Sequence, residues 1–136
     1  MSKFCLFFIF IVVLSACTGK KSTEELIVGD KGFNYWMMID DDSIQGFDYL
    51  DKNGKWLVFV IEDGAFEKHG LPHDVVRIEE WYLKNDSVIV IGESSVNEIL
   101  KLTKDTMITY SHLWNRETVY IVAPDSLIPE EYRKFQ

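Results

Sequence analysis

From Phe33 to Ala123 the chain is a succession of short apolar runs separated by turn-forming clusters. The runs are Phe33–Ile39, Ile44–Leu50, Trp56–Ile61, Val75–Leu83, Val88–Ile91, Val96–Leu102, Met107–Trp114 and Thr118–Ala123. They are rich in β-branched and aromatic side chains, which suit a pleated, half-buried surface, so the rhythm predicts about eight strands. No long segment of 3.6-residue periodicity lies between them. Parallel neighbours need crossovers of about a dozen residues or more, so the strands are expected to pair antiparallel. The predicted fold is all-β: an up-and-down meander that closes into a small barrel and so hides its sheet edges.

Local signals refine this outline. Asn53-Gly54 marks a hairpin, because both residue types tolerate positive φ. Trp56–Ile61 is apolar on both faces, so that strand is covered on both sides or meets a partner. Glu62–Asp74 reads as a long break with Gly64, Gly70 and Pro72. Pro129–Phe135 is expected as one short helix with Pro at its first position, and with Ile128, Tyr132 and Phe135 on its inner face.

The amino terminus reads as an address. Lys3 precedes the unbroken apolar run Phe4–Leu14, and Ser15-Ala16-Cys17 leads into a polar stretch. A basic start, a short apolar core and small residues before a cut site make a secretory signal. A membrane span needs about 20 apolar residues, more than this run supplies. Leu14-Ser15-Ala16-Cys17 resembles the lipobox of bacterial lipoproteins. The resemblance implies that residues 1–16 are removed, that Cys17 is acylated, and that 17–31 form a flexible tether before a domain at 32–136. It also implies a lipid-anchored protein of the bacterial cell envelope, and Thr18 after the cysteine fits outer-membrane sorting. Cys5 would leave with the signal, so no free thiol would remain for a disulfide, a metal or a nucleophile.

Trp81-Tyr82-Leu83-Lys84-Asn85-Asp86-Ser87-Val88, followed by Ile99-Leu100-Lys101-Leu102-Thr103-Lys104-Asp105-Thr106, is similar to the small lipocalin-like lipoproteins of Bacteroidota. Gly32-Phe33-Asn34-Tyr35-Trp36 approximates the Gly-x-Trp opening of true lipocalins. This resemblance implies a calycin-like barrel over about residues 33–123.

The chemistry of the chain points to binding rather than catalysis. Fourteen Lys and Arg against 22 Asp and Glu leave a net charge of −8, which excludes a phosphate-backbone binder. His69, His73 and Asp74 are N/O donors of the kind Zn²⁺ takes, but Gly70 and Pro72 oppose a helix there and a solvated loop is expected. Glu79 and Glu80 cannot act as an acid–base pair on a strand, since neighbours point to opposite faces. No nucleophile, phosphate-loop or dinucleotide motif is present, so no catalytic group, metal or cofactor is expected.

Aromatics are the richest signal, because each buries about 150–250 Å². Tyr35, Trp36, Trp56, Trp81 and Trp114 are the candidate ligand-binding residues. The expected function is a membrane-anchored, lipocalin-like binding module for a small apolar ligand. The alternative is a protein–protein module with a filled core, of the inhibitor or immunity type, docking another envelope protein.

Overall fold

The chain is described by a computed structural model over residues 19–70 and 77–136. Its construction follows from its turns. Asp41 and Asp42, at φ 47° and 59°, make the two-residue connection between β1 (Phe33–Asp40) and β2 (Ser43–Asp51). Positive φ at both central positions matches the right-handed twist of paired strands. Asp63 and Gly64, at φ 51° and 79°, join β3 (Trp56–Glu62) to β4 (Ala65–Lys68) in the same way.

At Asn53-Gly54 a hairpin does form, by a different route. Only Gly54 has positive φ, at 80°. Asp51 organises the loop instead: its carboxylate accepts from the Asn53 and Lys55 amides at 2.9 and 3.0 Å and from the Tyr49 hydroxyl at 3.1 Å. A Cβ on Gly54 would stand 3.3 Å from the Trp81 carbonyl oxygen, so both conformation and space call for glycine.

The second half of the chain supplies β5 (Trp81–Asn85), β6 (Val88–Ile91), β7 (Ser95–Leu102), β8 (Thr106–Ser111) and β9 (Arg116–Val122). The nine strands formed among the described residues share one antiparallel sheet in the order β4-β3-β2-β1-β9-β8-β7-β6-β5. This is the neighbour order of an up-and-down ring opened between β4 and β5. Three contacts draw the two limbs together: a bridge between Lys55 and Glu80, Trp56 N to Glu79 O at 3.0 Å, and Trp81 N to Gly54 O at 2.9 Å. The result is a curled half-barrel, the all-β antiparallel meander that the turn rhythm predicts.

Differences of detail have local causes. β4 lies inside the expected break, where Asp63-Gly64 is a hairpin signal. The run expected from Val75 is a strand only from Trp81, and Val75 and Val76 lie outside the described residues. β8 ends at Ser111, so Trp114 sits in the β8–β9 turn. The expected carboxyl-terminal helix is replaced by two 3-10 turns, Asp125–Leu127 and Glu130–Tyr132, neither with a side-chain cap.

Part of the segment expected as a flexible tether, 17–31, is ordered. Ser22 and Glu25 form a capping box that starts α1 (Thr23–Val28), and Ile27 and Val28 are buried.

Two cores result because β1–β3 are covered on both faces. The concave face packs Trp36, Leu50, Trp81, Ile89 and Met107 around Ile27. The convex face packs Tyr35, Phe47, Tyr49, Leu57 and Phe59 beneath the carboxyl-terminal segment. Phe59 stacks on Phe66 at 5.0 Å and meets Tyr132 at 5.2 Å, while Phe135 lies 5.4 Å from Phe33. The tail therefore delivers Ile128 and Tyr132 inward without being a helix, while Phe135, 41% exposed, only edges onto Phe33. The tail also covers one face of the doubly apolar Trp56–Ile61 run, burying Leu57 and Phe59. On the other face Trp56 packs against the concave core and Val58 and Val60 are half-buried.

Candidate functional site

Alternation along each strand decides what faces into the half-barrel. On β1, Trp36 and Met38 point to the concave side and Tyr35 and Met37 to the convex side. β1 runs from α1, where Asn34 touches Gly29, to the turn where Arg116 on β9 pairs with Asp40 at 2.8 Å. The two ends of the concave face differ in chemistry. Near α1 it is sealed: the Ile27 carbonyl accepts from Asn34 Nδ2 at 2.9 Å and from Trp36 Nε1 at 3.0 Å. Those bonds fasten the helix over the apolar core.

At the opposite end lies an open cavity of about 430 Å³, within the size range of small-molecule sites. Met38, Trp114 and Tyr120 give it apolar surface, while Ser95, Asn97, Ser111, Thr118 and Arg116 give it polar surface. Trp114 is 73% exposed at the rim, and its amide donates to Ser111 Oγ at 3.3 Å. The turn that carries it is set by Asn115, at φ 49°, which is hydrogen-bonded to the Tyr110 hydroxyl.

Deeper on the concave face is an acid. Asp48 Oδ1 accepts from Trp56 Nε1 at 3.1 Å, and the Tyr120 hydroxyl nearby also favours the charged carboxylate. Arg77 lies over the Trp56 ring at 5.4 Å and attracts the carboxylate from that side. Burial outweighs all three and pushes the Asp48 carboxyl up to about 6. Tyr120 is driven above the ordinary phenol range by the same burial, and then by the charge of Asp48.

The candidate ligand-binding residues do not meet at one mouth. Trp36 and Trp81 are buried in the concave core, and their indole N–H groups donate to the Ile27 and Asp51 carbonyls. Trp56 is partly buried beside Asp48. Tyr35 is on the convex side, where its hydroxyl donates to the Tyr132 carbonyl at 2.8 Å and burial raises its pKa. Trp114 is the candidate that borders the open cavity. Sequence patterns hid its partners because the lining comes from β1, β7, β8 and β9, with short polar side chains that look like ordinary strand surface. Asp48 carried a readable signal: a lone acid on the same strand face as Gly46 and Leu50.

The remaining candidates are dispersed. His69 is exposed and its amide donates to the Val58 carbonyl at 2.7 Å, while His73 and Asp74 lie outside the described residues. Glu79 pairs with Lys68 at 2.6 Å, and Glu80 belongs to the bridge with Lys55. Cys17 also lies outside the described residues.

No protein-family model matches the chain, and neither the curated proteins nor the solved structures provide a match.

Proposed function

We propose that this chain is a lipid-anchored lipocalin-like module of the bacterial cell envelope, held in the outer membrane through Cys17. In this reading it binds a small ligand at the open end of its half-barrel and performs no chemistry on it. The observation that carries the binding role is the 430 Å³ cavity, which offers Met38, Trp114 and Tyr120 to the apolar part of a guest. At the α1 end, Ile27 and Trp36 close over the concave core, so the cavity lies at the other end of that face.

The anchor reading rests on the lipobox-like Leu14-Ser15-Ala16-Cys17. Because α1 is capped at Ser22, only residues 18–21 separate Cys17 from the cap, at most about 3.5 Å each when extended. The amino end of α1 then stays close to the bilayer. Two or more acyl chains hold a protein on a membrane stably, whereas one gives only marginal binding.

Two measurements test these roles. In detergent phase partition, the native protein is expected in the detergent-rich phase and Cys17→Ser in the aqueous phase. Identical partition of both would remove the anchor. Titration of the full chain with 1-anilinonaphthalene-8-sulfonate is expected to quench tryptophan emission saturably at one site. Unchanged emission would remove the apolar-ligand role.

A second reading has its own observation. In the cross-strand row Tyr82, Val90 and Val96 on β5–β7, Tyr82 and Val96 are 57% and 49% exposed while Val90 between them is buried. Exposed aromatic and apolar rows of this kind suit protein docking. Loss of the probe signal would favour this alternative, a protein–protein module for another envelope protein.

A further inference from the structure

The lining of the open cavity narrows the class of guest. A purely apolar ligand would bury Asn97, Ser111 and Thr118 against groups that cannot hydrogen-bond, and unpaired buried polar groups oppose binding. A free ion is a poor match as well, because Arg116, the charged group of the lining, is already paired with Asp40. What fits is a molecule with an apolar face and a hydrogen-bonding edge.

We propose that the cavity binds a saccharide ring, stacked on the Trp114 indole and hydrogen-bonded at its hydroxyl edge by Asn97, Ser111 and Thr118. This rests on the reading of the cavity as the binding site and names its ligand class. Sugar rings present C–H groups on their faces and hydroxyls around their rim. A flat, exposed indole accepts the first, and short amides and hydroxyls accept the second.

The pieces are held in advance. The Trp114 amide is bonded to Ser111 Oγ, and the adjoining Asn115 is bonded to Tyr110, so the platform sits on a fixed turn. Asn97 Nδ2 donates to the Ser95 carbonyl and hydroxyl oxygens at 3.0 Å each, which orients the amide and leaves its carbonyl oxygen as an acceptor. Ser111 Oγ accepts from Trp114 N and keeps its hydrogen to donate. A sugar hydroxyl, both donor and acceptor, answers both. Preorganised groups lose less entropy on binding, and that favours a small, weakly apolar guest.

The test uses the full chain in a polyoxyethylene detergent, which carries no sugar of its own. Maltose, cellobiose and N,N′-diacetylchitobiose are offered separately. Saturation-transfer NMR follows their ring protons, and tryptophan emission gives the affinity. At least one disaccharide is expected to bind with a millimolar Kd. Trp114→Ala is expected to weaken it by about tenfold or more, and Asn97→Ala by several-fold. Trp114 is exposed in a turn, so its loss should leave the fold intact, which circular dichroism checks.

Absence of transfer to all three sugars while the anilinonaphthalene probe still binds would overturn the saccharide assignment and leave the binding module standing. Absence of both signals would remove both. Sugar binding that Trp114→Ala leaves unchanged would also overturn the assignment, because the ligand would then lie elsewhere.

Discussion

Trp36→Ala is expected to lower the unfolding free energy by about 3–5 kcal/mol, the range for truncating a large buried aromatic. Trp36 is fully buried on β1, between β2 and β9, at the centre of the concave core. Its removal opens a cavity under α1 and deletes the indole donor to the Ile27 carbonyl at 3.0 Å. That carbonyl keeps Asn34 as a partner, so the helix loses one of two fastenings as well as its packing. In a domain of this size the Tm should fall by more than about 10 °C. Trp36→Phe keeps most of the volume but loses the donor and part of the ring, so about 1–2 kcal/mol is expected there. Urea denaturation followed by circular dichroism measures both. If the Ala variant stayed within about 1 kcal/mol of wild type, α1 would not be seated on this core.

Asp48→Asn is expected to act in the opposite direction, stabilising the protein at neutral pH. The sign follows from where the proton is held. The Asp48 carboxyl is pushed up to about 6 in the fold, whereas an unfolded aspartate titrates near the ordinary value of about 4. The folded state binds this proton more tightly than the unfolded chain does. Its contribution is therefore fully present below about pH 4 and is lost as pH rises through about 6. Wild type should lose up to about 3 kcal/mol over that window from this group, less whatever relaxation around Trp56 and Tyr120 recovers. Asparagine is close in shape and can still accept from Trp56 Nε1, but it carries no charge to bury. Its unfolding midpoint should rise relative to wild type above about pH 6 and match it near pH 4. The comparison between the two proteins matters, because other carboxylates contribute to both curves. Parallel curves across the window would show that Asp48 does not titrate between the two states.

How much of this was readable from the chain varied with the range of the interaction. Turn chemistry was readable wherever the residues carry it themselves. Asp63-Gly64 is a two-residue hairpin signal by the same rule as Asn53-Gly54, and it marks the strand that lay inside the expected break. Asp41-Asp42 forms a positive-φ turn without glycine, because short acidic side chains tolerate that region better than most. The doubly apolar Trp56–Ile61 run pointed to cover on both sides, but its cover was not readable. The carboxyl-terminal segment shows no strong periodicity, and its hold on Phe33 and Phe59 comes from contacts distant in sequence.

The candidate site shows the same division. Five aromatics looked alike as text, yet parity along each strand separates Tyr35 from Trp36, and depth in the core separates Trp81 from Trp114. Adjacent positions on a regular stretch of strand do not share a wall, a rule that applies before any coordinates exist. Depth cannot be obtained that way, because it depends on where α1 and the tail settle. The polar wall of Ser95, Asn97, Ser111 and Thr118 was invisible for a related reason: each is unremarkable alone and acquires meaning only beside the others.

What the amino-acid order determined by itself is the class of fold: short β-favouring runs, close-set turns and no crossover helix leave an antiparallel meander as the economical way to hide the apolar faces. What only the tertiary structure decided is the division of that meander into a sealed end and an open one. That division depends on α1 and the carboxyl-terminal tail packing onto opposite faces of the same strands. The first follows from local conformational preference and alternation, which neighbouring residues encode. The second follows from which distant surfaces exclude water together, and no window of sequence contains both partners.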